Sequence, residues 1–233
     1  PGGEDAVSAP ASWRALVDLT SERRRDVRLQ LAPLISIESL FAPGAGDFIA
    51  QEAAKVGGAI GCFVLDQPRR REGIEVMFDL AEKHDLPLDF HVDEGLQPGL
   101  DGLSTIADIA IERRFEGPVL CGHTCSLMNV EGDDLARLID KVARSGISVV
   151  SLPSTNLYLQ DRRAGAPDRR GLTRIEELEE RGVTVALGAD NVCDAFCPVG
   201  RHDPLNTLSL AVLAAHLDPP LSDHLPKISS AAD

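Results

Sequence analysis

The sequence predicts an α/β protein built from repeated strand–helix units, and three observations support this class. Short apolar runs of strand length recur about every 30 residues. The segments between these runs carry apolar residues at helical spacing. No linker, low-complexity tract or internal repeat divides the chain. Strands that alternate with helices in this way form parallel sheets through right-handed crossovers.

Six strands are predicted from the apolar runs. They are Val27–Ile35, Val56–Leu65, Leu86–Phe90, Pro118–Cys121, Ile147–Leu152 and Val183–Leu187. Two of the intervening segments carry clear apolar stripes of helical period, Ile74, Met77, Leu80 and Ala81 in the first, and Leu135, Leu138, Ile139 and Val142 in the second.

One further helix is predicted over Arg174–Arg181. Thr173 followed by Glu176 has the spacing of a capping box, in which each side chain accepts a hydrogen bond from a backbone N–H of the other residue. Gly182 follows the helix and suits its C-terminal end.

Two architectures fit this order of elements: a doubly wound sheet and an eight-stranded (β/α) barrel. No Gly-x-Gly-x-x-Gly turn follows the first strand, which argues against a dinucleotide-binding sheet. We expect a barrel that forms one domain over residues 1–233.

Composition excludes several classes of partner. A net charge of −14 repels phosphate backbones, so we expect no nucleic acid polymer as a partner. No apolar run reaches the roughly 18 residues that span a bilayer, so we expect no membrane insertion. The sequence leaves a homo-oligomer open.

The chain has five cysteines, an odd number. The pairs Cys121/Cys125 and Cys193/Cys197 are spaced so that a four-thiolate zinc site is one interpretation. The simpler interpretation is reduced thiols in the cytoplasm, since small buried cysteines are common in apolar strands.

Polar residues follow four of the predicted strands. His91 and Glu94 follow the third strand, His123 the fourth, Asn156 the fifth and Asp190 the sixth. In a barrel the carboxyl ends of all strands meet at one face, where such enzymes carry out their chemistry. Each residue alone has a structural alternative, and Asp190 could be a helix N-cap. Their joint occurrence predicts one site.

The region from His91 to Pro198 resembles the cytosine deaminase branch of the amidohydrolase superfamily. The segments that carry the resemblance are 91–94, 122–124, 156–160, 169–174, 190–192 and 197–200. The resemblance implies a metal-dependent hydrolytic deaminase that acts on a C–N bond of a small nitrogen heterocycle, such as cytosine or a related cyclic amidine. It also implies one divalent metal ion, zinc or iron, because histidine and carboxylate ligands suit both.

The resemblance assigns roles to four residues. His91 matches a metal ligand, and Asp190 matches an aspartate that touches the metal and takes a proton from water. His123 matches the histidine that activates the attacking water. Glu94 matches the acid that moves protons to the ring nitrogen.

Four more residues match positions that contact the substrate: Leu34, Asn156, Asn191 and Phe196. Three of them depart from the family pattern. Leu34 stands where the family has a glutamine, Asn191 where it has an aspartate, and Phe196 where it has a tryptophan. Pockets that hydrogen-bond their substrates reject mismatched analogues, so we expect a substrate other than cytosine itself.

A larger departure concerns the metal. The family's first strand supplies a His-x-His pair, and no such pair occurs in the sequence. By their motifs, the six strands correspond to the third to the eighth strands of the family's barrel. We therefore expect a fragment of a longer chain, without the first two strands and a small β-sandwich. We expect this chain alone to bind metal weakly or not at all. The alternative function is a catalytically silent barrel that binds a small ligand without turnover.

Overall fold

The computed structural model describes residues 9–23, 25, 27–166 and 168–229. Over these residues six strands form a single sheet, and all of the pairings are parallel. The strands are β1 (Leu34–Ser36), β2 (Ile60–Val64), β3 (Leu88–Val92), β4 (Val119–His123), β5 (Ser148–Ser151) and β6 (Val185–Leu187).

Helices follow the strands and cover one face of the sheet. Those in the described ranges are α1 (Ala11–Arg23), α2 (Ala45–Lys55), α3 (Arg70–His84), α4 (Gly102–Arg113), α5 (Gly132–Ser145), α6 (Pro153–Leu159), α7 (Ile175–Glu180) and α8 (Pro204–Ala215). Short 3-10 turns occupy Ile37–Phe41, Cys125–Asn129 and Leu221–Ile228. In the part of the chain described, no helix is both long and apolar enough to cross a membrane.

The strand order distinguishes the two predicted architectures. Each strand pairs with its neighbours in the sequence, in the order β1-β2-β3-β4-β5-β6. A doubly wound sheet needs a point at which the strand order reverses, and this sheet has none, so that alternative is wrong. The six units are consecutive β/α units of a (β/α) barrel, which confirms the predicted fold class.

The core between the sheet and the helices fixes the direction of the side chains in β3. Leu88, Phe90 and Val92 are buried, and Phe90 contacts Phe78 of α3 with a centroid distance of 6.2 Å. Successive side chains in a strand point to opposite faces. His91 therefore points away from the helices, into the interior of the barrel.

The predicted helical stripes are confirmed where they meet this core. Ile74, Met77, Leu80 and Ala81 are buried in α3. In α5, Ile139 and Val142 are buried, and Leu135 and Leu138 pack against the core at its margin. Full burial of one such aliphatic side chain stabilises the fold by roughly 1.5–3 kcal/mol.

The first predicted strand is wrong over most of its length. Residues 27–33 form no strand, and β1 covers only Leu34–Ser36. Pro33 has no N–H to donate to a ladder, and Val27 and Leu29 are exposed rather than packed on a neighbour. The second strand is also shorter than predicted, because Val56 forms the C-cap of α2 and the strand begins at Ile60.

The predicted capping box is wrong as well. The N-cap of α7 is Arg174, whose side chain makes no capping hydrogen bond. The Thr173 hydroxyl instead accepts a hydrogen bond from the Thr124 hydroxyl at 2.7 Å, in a buried contact with the end of β4. The predicted stop at Gly182 fits the structure, since this glycine has a φ of 80°.

Candidate functional site

The site forms at the carboxyl ends of β3, β4 and β6. The strands β3 and β4 run two residues further than predicted, so that His91 and His123 lie within them. His91 is the penultimate residue of β3. Its register partners are Phe63 on β2 and Gly122 on β4.

His123 is the last residue of β4 and is 1% exposed. Its φ of 69° and the φ of 46° at Thr124 are both in the left-handed region, which few non-glycine residues adopt. The Thr124 N–H donates to the carbonyl oxygen of Val92 at 3.0 Å, which ties this turn to the end of β3. The unusual backbone thus holds the His123 ring against His91.

The two imidazole rings are in direct contact. Nε2 of His123 lies 3.0 Å from Nδ1 of His91, and the ring centroids are 4.9 Å apart. Burial, with a smaller contribution from His91, lowers the pKa of His123 to about 3. The His123 ring is therefore neutral at physiological pH.

Asp190 follows β6, at the same end of the sheet. Its side chain is hydrogen-bonded to Thr155 of α6. Its second oxygen, Oδ2, is buried and has no hydrogen-bond partner. Burial raises the pKa of Asp190, although Thr155 and His91 both oppose the increase. No helix begins until Pro204, so the N-cap alternative for Asp190 is wrong.

Among the described residues, one group of three or more histidine, cysteine or acidic side chains could hold a metal ion. It consists of His91, His123 and Asp190, each of which offers one ligand atom within 4.8 Å of the others. Sequence reasoning placed two of these residues on the metal and gave His123 another role. The geometry offers all three as donors.

Glu94 completes the group on the β3 side. Its Oε1 lies 3.6 Å from Nδ1 of His123. Because His123 is neutral, this contact is not an ion pair. Burial, with a further contribution from the negative charge of Asp190, raises the pKa of Glu94 to about 7. The side chain can therefore hold or release a proton near neutral pH.

Asn156 of α6 is buried beside His123, with its Nδ2 at 3.0 Å from His123 Nδ1. The NH2 group of the Asn156 amide is therefore already hydrogen-bonded within the protein. Its Oδ1 is buried and has no partner. The predicted contact of Asn156 with a substrate stays a prediction.

Leu34 is not brought to the group. It begins β1, is 50% exposed and borders a cleft with Trp13 of α1 and Phe48 of α2. The β1 residue at the level of His91 is Ser36, two residues further along, because it pairs with Phe63. A short strand that begins seven residues later than predicted accounts for the displacement.

The inward-facing residues at the level of His91 form a row across the sheet. Register pairs give the row as Ser36, Phe63, His91, Gly122, Val150 and Ala186. Apart from the histidine, the row holds small or apolar side chains, and Phe63 is 37% exposed. Sequence reasoning missed Phe63, although its alternate position in a strand was a usable signal.

Asn191 and Phe196 lie in the loop after β6. The backbone N–H of Asn191 donates to Oγ1 of Thr155 at 3.1 Å. The Asn191 side chain donates to Asp194. Phe196 is 60% exposed on the same loop. Their predicted substrate contacts stay predictions.

Two supporting residues were missed. Thr155 holds both Asp190 and the Asn191 backbone. Asp93 is buried and accepts the N–H groups of Gly102 and Leu103 at 2.9 and 3.0 Å, which joins the end of β3 to the start of α4. Neither partner lies at a spacing that sequence periodicity detects.

The thiols do not form a metal site. None of the cysteines belongs to a metal-binding group within the described residues, and Cys193 is exposed while the other four are buried. Burial raises the pKa of Cys121 and Cys125. The four-thiolate interpretation is therefore wrong.

Comparisons with known proteins relate the chain to one family. The model of the Amidohydrolase family (Amidohydro_3) matches residues 2–229. The chain is 38% identical over 211 residues to a pterin deaminase of Rhizobium rhizogenes (strain K84 / ATCC BAA-868), covering 90% of this chain and 48% of that protein. It is 22% identical over 188 residues to N-isopropylammelide isopropyl amidohydrolase of Pseudomonas sp. (strain ADP), covering 76% of this chain and 43% of that protein.

Two solved structures share the fold of this chain. The crystal structure of 5-methylcytosine deaminase from Klebsiella pneumoniae liganded with 5-fluorocytosine superposes with a TM-score of 0.81 at 26% identity, over 94% of this chain and 53% of that one. N-isopropylammelide isopropylaminohydrolase from Burkholderia multivorans ATCC 17616 shares the fold, with a TM-score of 0.74 at 21% identity over 93% of this chain and 53% of that one. The chain thus spans about half the length of the relatives it matches.

Proposed function

The chain belongs to the amidohydrolase family, and from that premise we propose that it forms the catalytic half of a metal-dependent hydrolytic deaminase. The observation that carries the proposal is the convergence of His91, His123 and Asp190 at one end of the barrel, with Glu94 beside them. The proposed substrate is a small nitrogen heterocycle with an amino group on an amidine carbon.

The three donors fit a divalent metal ion. A buried carboxylate oxygen without a partner is costly, and Asp190 Oδ2 is such an atom. Two imidazoles and a carboxylate are the donor set that zinc and iron accept. His91 and Asp190 would hold the ion, with His123 as the third donor within reach. Such an ion would act as a Lewis acid and would lower the pKa of a bound water molecule.

The protein's own side chains supply the proton transfers. Hydrolysis of a C–NH2 bond consumes one water and releases ammonia, so one group must accept the water proton and another must protonate the ring nitrogen and the leaving amine. In our proposal the Asp190 carboxylate accepts the first proton. Glu94, with a pKa of about 7, delivers protons to the heterocycle.

The residues at the level of His91 suit a fused ring system. The row at the level of His91 offers Phe63, Gly122 and Val150 to a flat ligand, and none of these side chains fills the space with polar atoms. A relative at 38% identity is a pterin deaminase. We therefore propose pterin, which carries an amino group on an amidine carbon of a bicyclic ring, as the representative substrate.

The test is ammonia release from pterin by the full-length protein, with formation of the dioxo product lumazine in equal amount. Glu94→Gln removes the acid, and we expect kcat to fall by roughly 10²–10⁴-fold. The matched control is Glu116→Gln, an exposed residue of the loop before β4, which should leave kcat unchanged. Tight binding of pterin without any ammonia release would instead support the catalytically silent barrel.

A further inference from the structure

The loop after β6 holds an aspartate that the proposed chemistry does not use. Oδ1 of Asp194 accepts the backbone N–H groups of Phe196 and Cys197, each at 2.9 Å. Oδ2 accepts the side-chain amide of Asn191 at 2.5 Å. The Asp194 N–H in turn donates to the carbonyl oxygen of Cys197 at 3.0 Å. The carboxylate is therefore fixed in orientation by donors from its own loop.

This arrangement fixes the direction of the Asn191 amide. An ionised carboxylate only accepts hydrogen bonds, so the NH2 group of Asn191 must face Asp194. The backbone hydrogen bonds and Asn191 lower the pKa of Asp194, so this carboxyl is ionised at neutral pH. The carbonyl oxygen of Asn191 is consequently directed away from Asp194. The residue's own N–H is anchored on Thr155, which also holds Asp190.

We propose that Asp194 is a positioning residue that turns the Asn191 carbonyl oxygen toward the amino group of the substrate. This inference rests on the proposed function, because it takes Asn191 as a substrate contact. The side chain then presents an uncharged acceptor, which suits a neutral amino group. The carboxylate that sets this orientation stays outside the contact.

Asp194→Asn tests the orientation directly. The oxygen of the new amide must still accept the Phe196 and Cys197 N–H groups, so its NH2 group faces Asn191. Two NH2 groups cannot hydrogen-bond each other, and the Asn191 amide must rotate by a half-turn. Asn191 then directs a donor, not an acceptor, toward the substrate.

The readout compares two ligands that differ at one position. Pterin carries an amino donor, and lumazine carries an oxo acceptor on the same carbon. In the full-length protein we expect Asp194→Asn to raise the KM for pterin and to lower the Ki for lumazine. The ratio of Ki to KM should fall at least tenfold. General damage to the loop would weaken the binding of both ligands and leave the ratio of Ki to KM unchanged.

A rescue variant and a control accompany this measurement. Asn191→Asp alone places two carboxylates in contact and should raise the KM for pterin. The double variant Asn191→Asp/Asp194→Asn restores an amide–carboxylate pair and an acceptor toward the substrate, so its KM should return to within about threefold of the original. Asp18→Asn, on the exposed surface of α1, should change neither constant.

The outcomes separate the two proposals. Turnover of pterin with an unchanged ratio in Asp194→Asn, or a lower KM in Asn191→Asp alone, overturns the role of Asp194 and leaves the proposed function intact. Failure of the unaltered full-length protein to deaminate pterin overturns the proposed function, and the substrate-facing role of Asn191 with it.

Discussion

Nε2 of His123 lies 3.0 Å from Nδ1 of His91, and the two rings are inclined by 56°. Both side chains come from neighbouring parallel strands, and each lies within two residues of the strand's carboxyl end. The His123 ring is buried, since this residue is 1% exposed. Burial, with a smaller contribution from the contact with His91, makes protonation of His123 unfavourable in the folded protein, which has a measurable consequence for stability.

We predict that His123 makes the metal-free protein sensitive to acid. Its pKa is about 3 in the folded state and roughly 6.5 in an unfolded chain. Between these values the unfolded state binds one more proton, so stability is lost as the pH falls below 6.5, by about 1.4 kcal/mol per pH unit. In urea unfolding with EDTA, the original protein should lose about 2 kcal/mol more than His123→Gln between pH 7 and pH 5.

His202→Gln, which changes an exposed histidine, is the control and should keep the full pH dependence. If His123→Gln lost as much stability as the original protein over this range, the assignment of a neutral, enclosed His123 would be wrong.

Much of the site could be predicted because it follows from local patterns. His91 and His123 lie within the last two residues of β3 and β4, Asp190 follows β6, and parallel strands bring such ends together. The exact strand bounds could not be predicted, because the strand period alone does not show where a ladder ends. Extension of β3 and β4 by two residues placed both histidines inside the sheet.

Other features depend on contacts that no sequence period reveals. The Thr173 hydroxyl has the spacing of a helix cap, yet in the fold a buried hydroxyl 49 positions away is its partner. The Leu34 prediction depended on a strand that Pro33 and the exposed residues before it do not form. Thr155 carries no motif, and its importance comes from its neighbours in space.

The pH dependence of turnover should follow Glu94. Its pKa of about 7 means that the acid form is lost as the pH rises through neutrality, so kcat for pterin should fall by up to tenfold per pH unit above this value. Rates measured from pH 6 to 9 check this. In Glu94→Gln this fall in kcat above neutral pH should disappear, since the glutamine side chain does not titrate. A fall that persists in the variant would assign the proton transfer to another group.

Thr155 should matter for both stability and metal binding. Thr155→Val keeps the shape but removes the hydroxyl, which leaves the Asn191 N–H without its acceptor and frees the Asp190 carboxylate. We expect a loss of about 1–3 kcal/mol in the free energy of unfolding. We also expect the metal affinity to fall by roughly 10–100-fold. Thr155→Ser retains the hydroxyl and should recover most of both quantities; equal losses in the two variants would refute this role.

Cytosine should be a poorer substrate than pterin. A single ring leaves part of the row formed with Phe63 and Val150 without a contact. About 100 Å² of additional apolar burial corresponds to ~2.5 kcal/mol. We therefore expect kcat/KM for pterin to exceed that for cytosine by at least tenfold. Steady-state kinetics on both compounds decides the point, and a higher kcat/KM for cytosine would contradict the proposed shape of the site.

The most direct test of the central claim is the metal content of the full-length protein, measured by elemental analysis. The claim is that His91 and Asp190 hold a divalent ion at the carboxyl ends of β3 and β6. We predict about one zinc or iron per chain in the original protein and in His202→Gln. His91→Asn and Asp190→Asn should each retain less than about a tenth of it, because each change removes a donor. Full metal occupancy in both variants would contradict the account.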